Sequence, residues 1–288
     1  MALETGVLVA AFSAMLCWAV ADFLVQKSTR KIGNLESLAV IGIVGTVSLF
    51  PLVIRDFGLI FSASNLALIL VLGVLTFVAA MFDCEALRVA KLSTVDILME
   101  IELPITIMLG YLFFNEVLAP MQIFMVGLIF AGILLVATKS FSHWAIRWEK
   151  GVILAVIGAI GMGFINFLTS ATSRAISPIM AVWAPWLILT LFCLTLIYRR
   201  GEFPRFVKNA SRFRWFLLGM GIIDTAAWIF YSFAVFGESV GIVTAITESY
   251  PAVALFLGVW LNREKINGHQ YLGAALAIFS SIALAVFI

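Results

Sequence analysis

The chain has 288 residues, 63% of them hydrophobic and only 12% charged, with a mean hydropathy of +1.13 and a net charge of +2. A soluble protein carries about twice that share of charge. No aqueous fold could bury this much apolar sequence, so the solvent is lipid and a soluble enzyme is excluded.

Ten apolar segments of spanning length follow one another: 5–26, 36–54, 66–87, 93–113, 119–137, 151–172, 178–198, 214–236, 241–261 and 268–288. Each is near the ~20 residues that cross a ~30 Å hydrocarbon core as helix. All are far longer than the roughly ten alternating residues of a membrane β-strand. The first opens on Glu4 with no Lys or Arg before it and outruns the apolar core of a signal peptide, so it reads as a first span. Turn residues punctuate the breaks, as in Ile32-Gly33-Asn34, Asn115-Glu116, Ser177-Pro178 and Asn267-Gly268. The three cysteines, Cys17, Cys84 and Cys193, lie in apolar segments without metal-like spacing and read as small buried residues. His143 and His269 fall in loops without companion ligands, so no metal or cofactor is expected.

The chain repeats. Leu109-Gly110, Glu116 and Gln122 return as Leu257-Gly258, Glu264 and Gln270 at a separation of 148, which also sets Glu100 opposite Glu248. Pro104 and Pro251 are 147 apart, and Asp22-Phe23 answers Asn166-Phe167 at 144. The fold class predicted is an all-α membrane protein of ten transmembrane helices. Residues 1–138 and 151–288 form two five-helix repeats joined by a linker loop at 139–150, around a central cavity. An odd number of crossings inverts the second repeat, an arrangement found in secondary transporters with the site at the midplane.

Sixteen of the 18 Lys and Arg residues fall in the loops after spans 1, 3, 5, 7 and 9, and only Arg55 and Arg174 on the other side. The densest run is Arg199, Arg200, Arg205, Lys208, Arg212 and Arg214. By the positive-inside rule both termini lie outside the cytoplasm of a multi-pass cell-membrane (inner-membrane) protein.

Within the spans stand Asp22, Asp83, Glu85, Asp96, Glu100, Glu102, Asp224 and Glu248. An acid at the bilayer centre costs roughly 2.5–3.5 kcal/mol on insertion scales, so lipid-facing positions are untenable for the set. Bases at comparable depth are only Lys27 and Arg88, near helix ends. Asp83, Glu85 and Asp96 sit nearer one interface and read as an ion-pair cluster with Arg88. Glu102, Asp224 and Glu248 lie near their segment midpoints. Asp96 and Glu100 share a helix face, whereas Glu102 is about 200° round from Glu100. Pro104 can distort the helix there, and which of Glu100 and Glu102 turns inward stays open.

Aromatic residues accompany the acids. Trp18 is one turn before Asp22, Trp183 and Trp186 flank Pro185, Trp228 is four after Asp224 with Tyr231 beyond it, and Tyr250 sits between Glu248 and Pro251. Trp144, Trp148 and Trp215 fit the ordinary interfacial preference. The deeper rings beside acids suit an organic cation. Gly158, Gly161, Gly163, Gly219 and Gly221 read as positions of close helix approach.

This pattern resembles the EamA-type members of the drug/metabolite transporter superfamily. The matching residues are Pro104, Gly110, Glu116, Gln122 and Gly127, then Pro251, Gly258, Glu264, Gln270 and Gly273. Trp18 and Asp22 stand where that family often has Trp-Gly-x-x-Phe, with Ala19 replacing the glycine. The resemblance implies a central cavity and secondary transport of small metabolites, amino acids or organic cations. It also implies cytoplasmic termini, the opposite of what the basic residues predict.

The function predicted is alternating-access transport, with possible proton coupling, of a small cationic or zwitterionic metabolite. Glu102 and Glu100 would neutralise the amine or carry a coupling proton. Trp18, Asp22, Asn166, Trp186, Asp224, Trp228, Tyr231, Glu248 and Tyr250 would complete the site. The alternatives are a neutral amino-acid or metabolite exporter whose acids only carry protons, and a lipid-headgroup flippase, which would want basic residues in the cavity. An aspartyl dyad of Asp22 and Asp224 lacks any surrounding protease signature, so the chain is not read as an enzyme. The partners expected are a small-molecule substrate and membrane lipids, with no nucleic acid, in a monomer or homodimer.

Overall fold

The computed structural model describes residues 2–89, 98–138, 150–253, 256 and 267–286, and among them there is no β-strand. In chain order the helices are α1 (Ala2–Ile32), α2 (Asn34–Val53), α3 (Ala63–Val89), α4 (Glu102–Phe114), α5 (Pro120–Ala137) and α6 (Lys150–Ala175). They continue with α7 (Pro178–Arg199), α8 (Phe203–Arg212), α9 (Arg214–Gly237), α10 (Val240–Thr247) and α11 (Gly268–Val286). A 3-10 turn, Ile54–Phe61, follows α2. Helices α1, α2, α3, α6, α7, α9 and α11 are long and apolar enough to cross a membrane, while α4 and α5 are shorter apolar helices. The ninth predicted span, 241–261, is described only to 253 and at 256, and the linker 139–150 only at Lys150.

Local chemistry sets the ends. Gly33 turns the chain between α1 and α2 at φ 98°, a conformation that favours glycine, and Asn115 ends α4 in the left-handed region at φ 54°. Ser177 caps α7 by accepting from the Met180 amide at 3.2 Å, with Pro178 in the first turn. The repeated glutamines are caps as well. Gln122 accepts from the Ala119 amide at 2.8 Å, and Gln270 accepts from the Asn267 amide at 3.0 Å. This motif pair therefore starts α5 and α11 in the same way.

Two spans are broken rather than continuous, which the sequence only hinted at. The fourth leaves helical geometry at Glu100-Ile101 and the ninth at Glu248-Ser249, each just before its proline. Proline supplies no N–H, and its ring crowds the carbonyl one turn back. In a membrane such a break is tolerated where it lines a cavity.

The helices pair across the two repeats. α1 packs on α9 and α3 on α6, contacts that the repeat relates to each other. α2 packs on α7, α4 on α10 and α5 on α11, each pairing a helix with its own repeat counterpart. This is the contact pattern of two repeats related by a pseudo-two-fold axis.

Small residues set how closely the pairs meet. A Cβ on Gly132 would stand 2.7 Å from the Gly273 carbonyl oxygen, and one on Gly273 would stand 2.6 Å from that of Gly132. On α6, a Cβ on Gly161 would meet Ala79 at 2.8 Å, one on Gly163 would meet Ile105 at 2.7 Å, and one on Gly158 would collide with the Asp83 carboxylate. Gly221 likewise receives Val44 at 2.8 Å. Gly219 and Gly127 face open space, so neither is a contact point, contrary to the packing expected of Gly219. Gly158→Val is expected to lose about 1–3 kcal/mol through overpacking. Gly219→Ala is expected to hold or gain a few tenths from helix propensity. Thermal unfolding of the two variants side by side checks the contrast.

Candidate substrate site

A cavity of about 140 Å³ lies between the two broken spans. α1 supplies Trp18 and Asp22, α4 supplies Glu102, α6 supplies Met162 and Asn166, α9 supplies Asp224 and Trp228, and the break after α10 supplies Glu248 and Tyr250. An apolar space of this size holds a small ring molecule, so the volume suits a metabolite of a few heavy atoms. Among the described lining residues none is basic.

The break settles the geometry left open between Glu100 and Glu102. Glu102, the first residue of α4, lines the cavity and shares a side-chain hydrogen bond with Glu248. Glu100 is buried at 5% exposure, beside Glu248 but off the cavity wall. Glu102 and Glu248 are 9% and 4% exposed. Two carboxyl groups joined by a hydrogen bond hold a proton between them, because an ionised carboxylate only accepts. Asp22 is the exposed acid of the group, open to the cavity, and accepts from the Tyr250 hydroxyl. Asp224 lies within electrostatic reach of Asp22.

Aromatic rings form the other lining. Trp18 and Trp228 stand edge to face, 5.2 Å between centroids at 84°, so they make a corner of two walls. Tyr250 lies 6.5 Å from Trp18 on the same side. A cation in such a corner faces the negative faces of the rings and the carboxylates together. Asn166 is 2% exposed, and its Nδ2 lacks an acceptor among the described residues. A buried amide donor on a cavity wall is placed to meet a ligand oxygen.

Two predicted lining residues stand behind the wall. Trp186 packs 5.7 Å from Trp228 and donates to Thr225 Oγ1 at 3.3 Å. Tyr231 is fully buried, 5.4 Å from Trp18, with its hydroxyl 2.8 Å from that of Thr244. Both buttress the cavity rings without lining the cavity. Met162 was missed, although it sits one turn before Asn166 and shares its face. Of the interfacial cluster, Asp83 packs against Gly158 of α6 and lies within electrostatic reach of Glu102 and Asp22. Glu85 is half-buried on α3. The Arg88 side chain and Asp96 lie outside the described residues, so a partnership with them is not described. Among the described residues no group of three His, Cys, Asp or Glu side chains is placed to hold a metal.

At one end of the helices a latch joins the repeats. Arg174, at the end of α6, donates from Nη2 to Glu116 Oε1 and to the Glu238 carbonyl, both at 2.8 Å, and from Nε to the Val235 carbonyl at 3.1 Å. Glu116 Oε2 accepts from Ser239 Oγ at 2.8 Å and from the Val240 amide at 2.9 Å. The guanidinium also lies 4.4 Å over the Phe114 ring. The motif glycine Gly110 makes room, since a Cβ there would meet Val240 at 2.8 Å and Glu116 at 3.0 Å.

This architecture has known counterparts. A solved crystal structure superposes with a TM-score of 0.77 over 98% of this chain and 97% of the other, at 14% identity, which shows a shared fold. No curated protein matches the chain in sequence. The family model described as the EamA-like transporter family matches residues 5–138 and again 149–286, one copy on each side of the pseudo-two-fold axis. With both repeats matched and nearly every residue covered, this multi-pass membrane protein belongs to the EamA-like transporter family.

Proposed function

We propose that the protein is a secondary active transporter that carries a small cationic or zwitterionic metabolite through the cavity between its repeats. The observation that carries this reading is the lining: four carboxyl groups, Asp22, Glu102, Asp224 and Glu248, and three aromatic residues, with no base among the described lining residues. Without a ligand cation, the negative charge of such a lining is poorly compensated in a low dielectric. An organic cation supplies the missing charge and finds ring faces to lie on. A phosphate-bearing lipid headgroup would meet only like charge. Glu102 and Glu248 serve as the exchange point for a coupling proton, because binding a cation beside them displaces the proton they share.

A second reading, a neutral-metabolite exporter whose acids only carry protons, draws on that same shared hydrogen bond. In either case the Lys and Arg distribution favours a cell-membrane protein with both termini outside the cytoplasm. The unit is a monomer or homodimer.

The rings provide the assay. Trp18 and Trp228 line the cavity, so a bound cation changes tryptophan emission. Titration of purified protein with tetramethylammonium, ethanolamine and glycine betaine is expected to give saturable changes, and proteoliposomes are expected to accumulate at least one of them. The uncharged isostere of tetramethylammonium, neopentane, is expected to give neither response. If no amine binds or enters, the cation reading fails. If only neutral solutes do, the second reading replaces it.

A further inference from the structure

The helix α8, Phe203–Arg212, was not expected as a structural element, and nothing in the transport site uses it. It joins the end of α7 at Arg199 to the start of α9 at Arg214, so it lies at the membrane surface between two span ends. Its residues divide by face. Phe203, Phe206, Val207 and Ala210 recur at helical spacing on one side, and Arg205, Lys208 and Arg212 on the other. Phe206 is buried in the protein at 6% exposure and anchors the helix, while Phe203 and Val207 remain 42% and 50% exposed. Asn209 Nδ2 donates to Glu36 Oε2 at 2.8 Å, and Arg205 reaches the other oxygen of Glu36 at 3.5 Å, tying α8 to the first turn of α2.

After that tie, Arg199, Arg200, Lys208, Arg212 and Arg214 are all exposed, and Glu202 is the one acid between Arg199 and Trp215. Tyr198 and Trp215, each 75% exposed, flank the run as interfacial aromatics. A fixed amphipathic helix with exposed apolar residues and uncompensated bases fits an anionic bilayer surface. Each base near such a surface adds attraction that salt weakens.

We propose that α8 and its flanking arginines form a platform that binds anionic phospholipid headgroups, with Phe203 and Val207 seated at the headgroup–acyl boundary. Charge complementarity selects this occupant, on the face that the basic residues assign to the cytoplasm.

Trp215 reports on the platform directly. The full-length protein is reconstituted in phosphatidylcholine bilayers containing one-fifth phosphatidylglycerol, with bromine placed on the acyl chains of one lipid or the other. The Trp215 signal is the difference between wild type and Trp215→Phe. Bromine on the minority anionic lipid is expected to quench Trp215 more, per mole of brominated lipid, than bromine on phosphatidylcholine. That excess is expected to shrink in high salt and in Arg200→Gln/Lys208→Gln/Arg212→Gln, whose thermal unfolding serves as the folding control. Equal quenching by the two lipids, no quenching by either, or an excess that persists in a folded triple variant would each overturn the platform.

Discussion

Glu102→Gln is expected to weaken cation binding strongly while leaving the protein as stable as the wild type. The substitution keeps shape and hydrogen-bonding capacity, because the new amide can still donate to Glu248. What it removes is the second negative charge that the pair gains when a cation displaces its shared proton. A charge-assisted contact contributes roughly 1.5–3 kcal/mol, so affinity for tetramethylammonium should fall about 10- to 100-fold. In the empty cavity the pair carries one negative charge before and after the substitution, so stability should change by less than about 0.5 kcal/mol. Loss of binding without loss of stability marks a residue that serves a ligand and not the fold. Melting curves and fluorescence titrations on the same preparation check both. Lower stability with unchanged binding would make Glu102 a structural residue instead. Glu100→Gln, off the wall, is expected to change binding far less.

Arg174→Ala is expected to be the most destabilising single change outside the buried core. One guanidinium satisfies Glu116 and two backbone carbonyls, from turns belonging to both repeats. Truncation takes that donor from Glu116 and the Glu238 carbonyl, while the Val235 carbonyl keeps the Ser170 hydroxyl at 3.3 Å, at a cost of about 2–3 kcal/mol for a partly exposed network. For a chain of this size the melting temperature should drop on the order of 5–10 °C. Arg174→Lys should recover less than half, since a single ammonium cannot span a fork of three acceptors. Because the latch joins the repeats, its loss should also open position 239 to solvent, which a thiol reagent reads in a Ser239→Cys background. A thiol that stays protected in the Arg174→Ala/Ser239→Cys double variant would show that the ends stay shut without the ion pair.

Much of this architecture was legible in the residues. Span-length apolar runs leave few alternatives in lipid, and Gly33, Asn115 and Ser177 end helices where their backbone preferences suggest. The acids and rings of the cavity were legible too, because cost alone forbids them a lipid-facing place. What could not be read was orientation at a break. Helical bookkeeping puts Glu100 and Glu102 on different faces but loses its register at Glu100-Ile101, where the structure turns Glu102 inward. Trp186 and Tyr231 show a related limit. Each is on the correct side of its helix but one layer behind the wall, and depth behind a neighbour depends on the partner helix. The α8 segment was hidden in a run of bases that reads as loop, since ten residues are too few to register as a span. Gly219 and Gly221 look alike in sequence and differ only because Val44 stands opposite one of them.

The repeat itself has a consequence for how the molecule came to work. Gln122 and Gln270, the pair that start α5 and α11, are the same residue doing the same task in both copies. At the cavity the copies disagree. Asp22 stands where the second copy has Asn166, and Glu102 stands where it has Tyr250. A duplicated scaffold can rock about its axis only if its two halves remain mechanically equivalent. A cargo with one charged end has no such symmetry and needs a pocket that lacks it too. In this chain the doubled gene has stayed identical at a cap that builds the fold and has diverged where the cavity is lined.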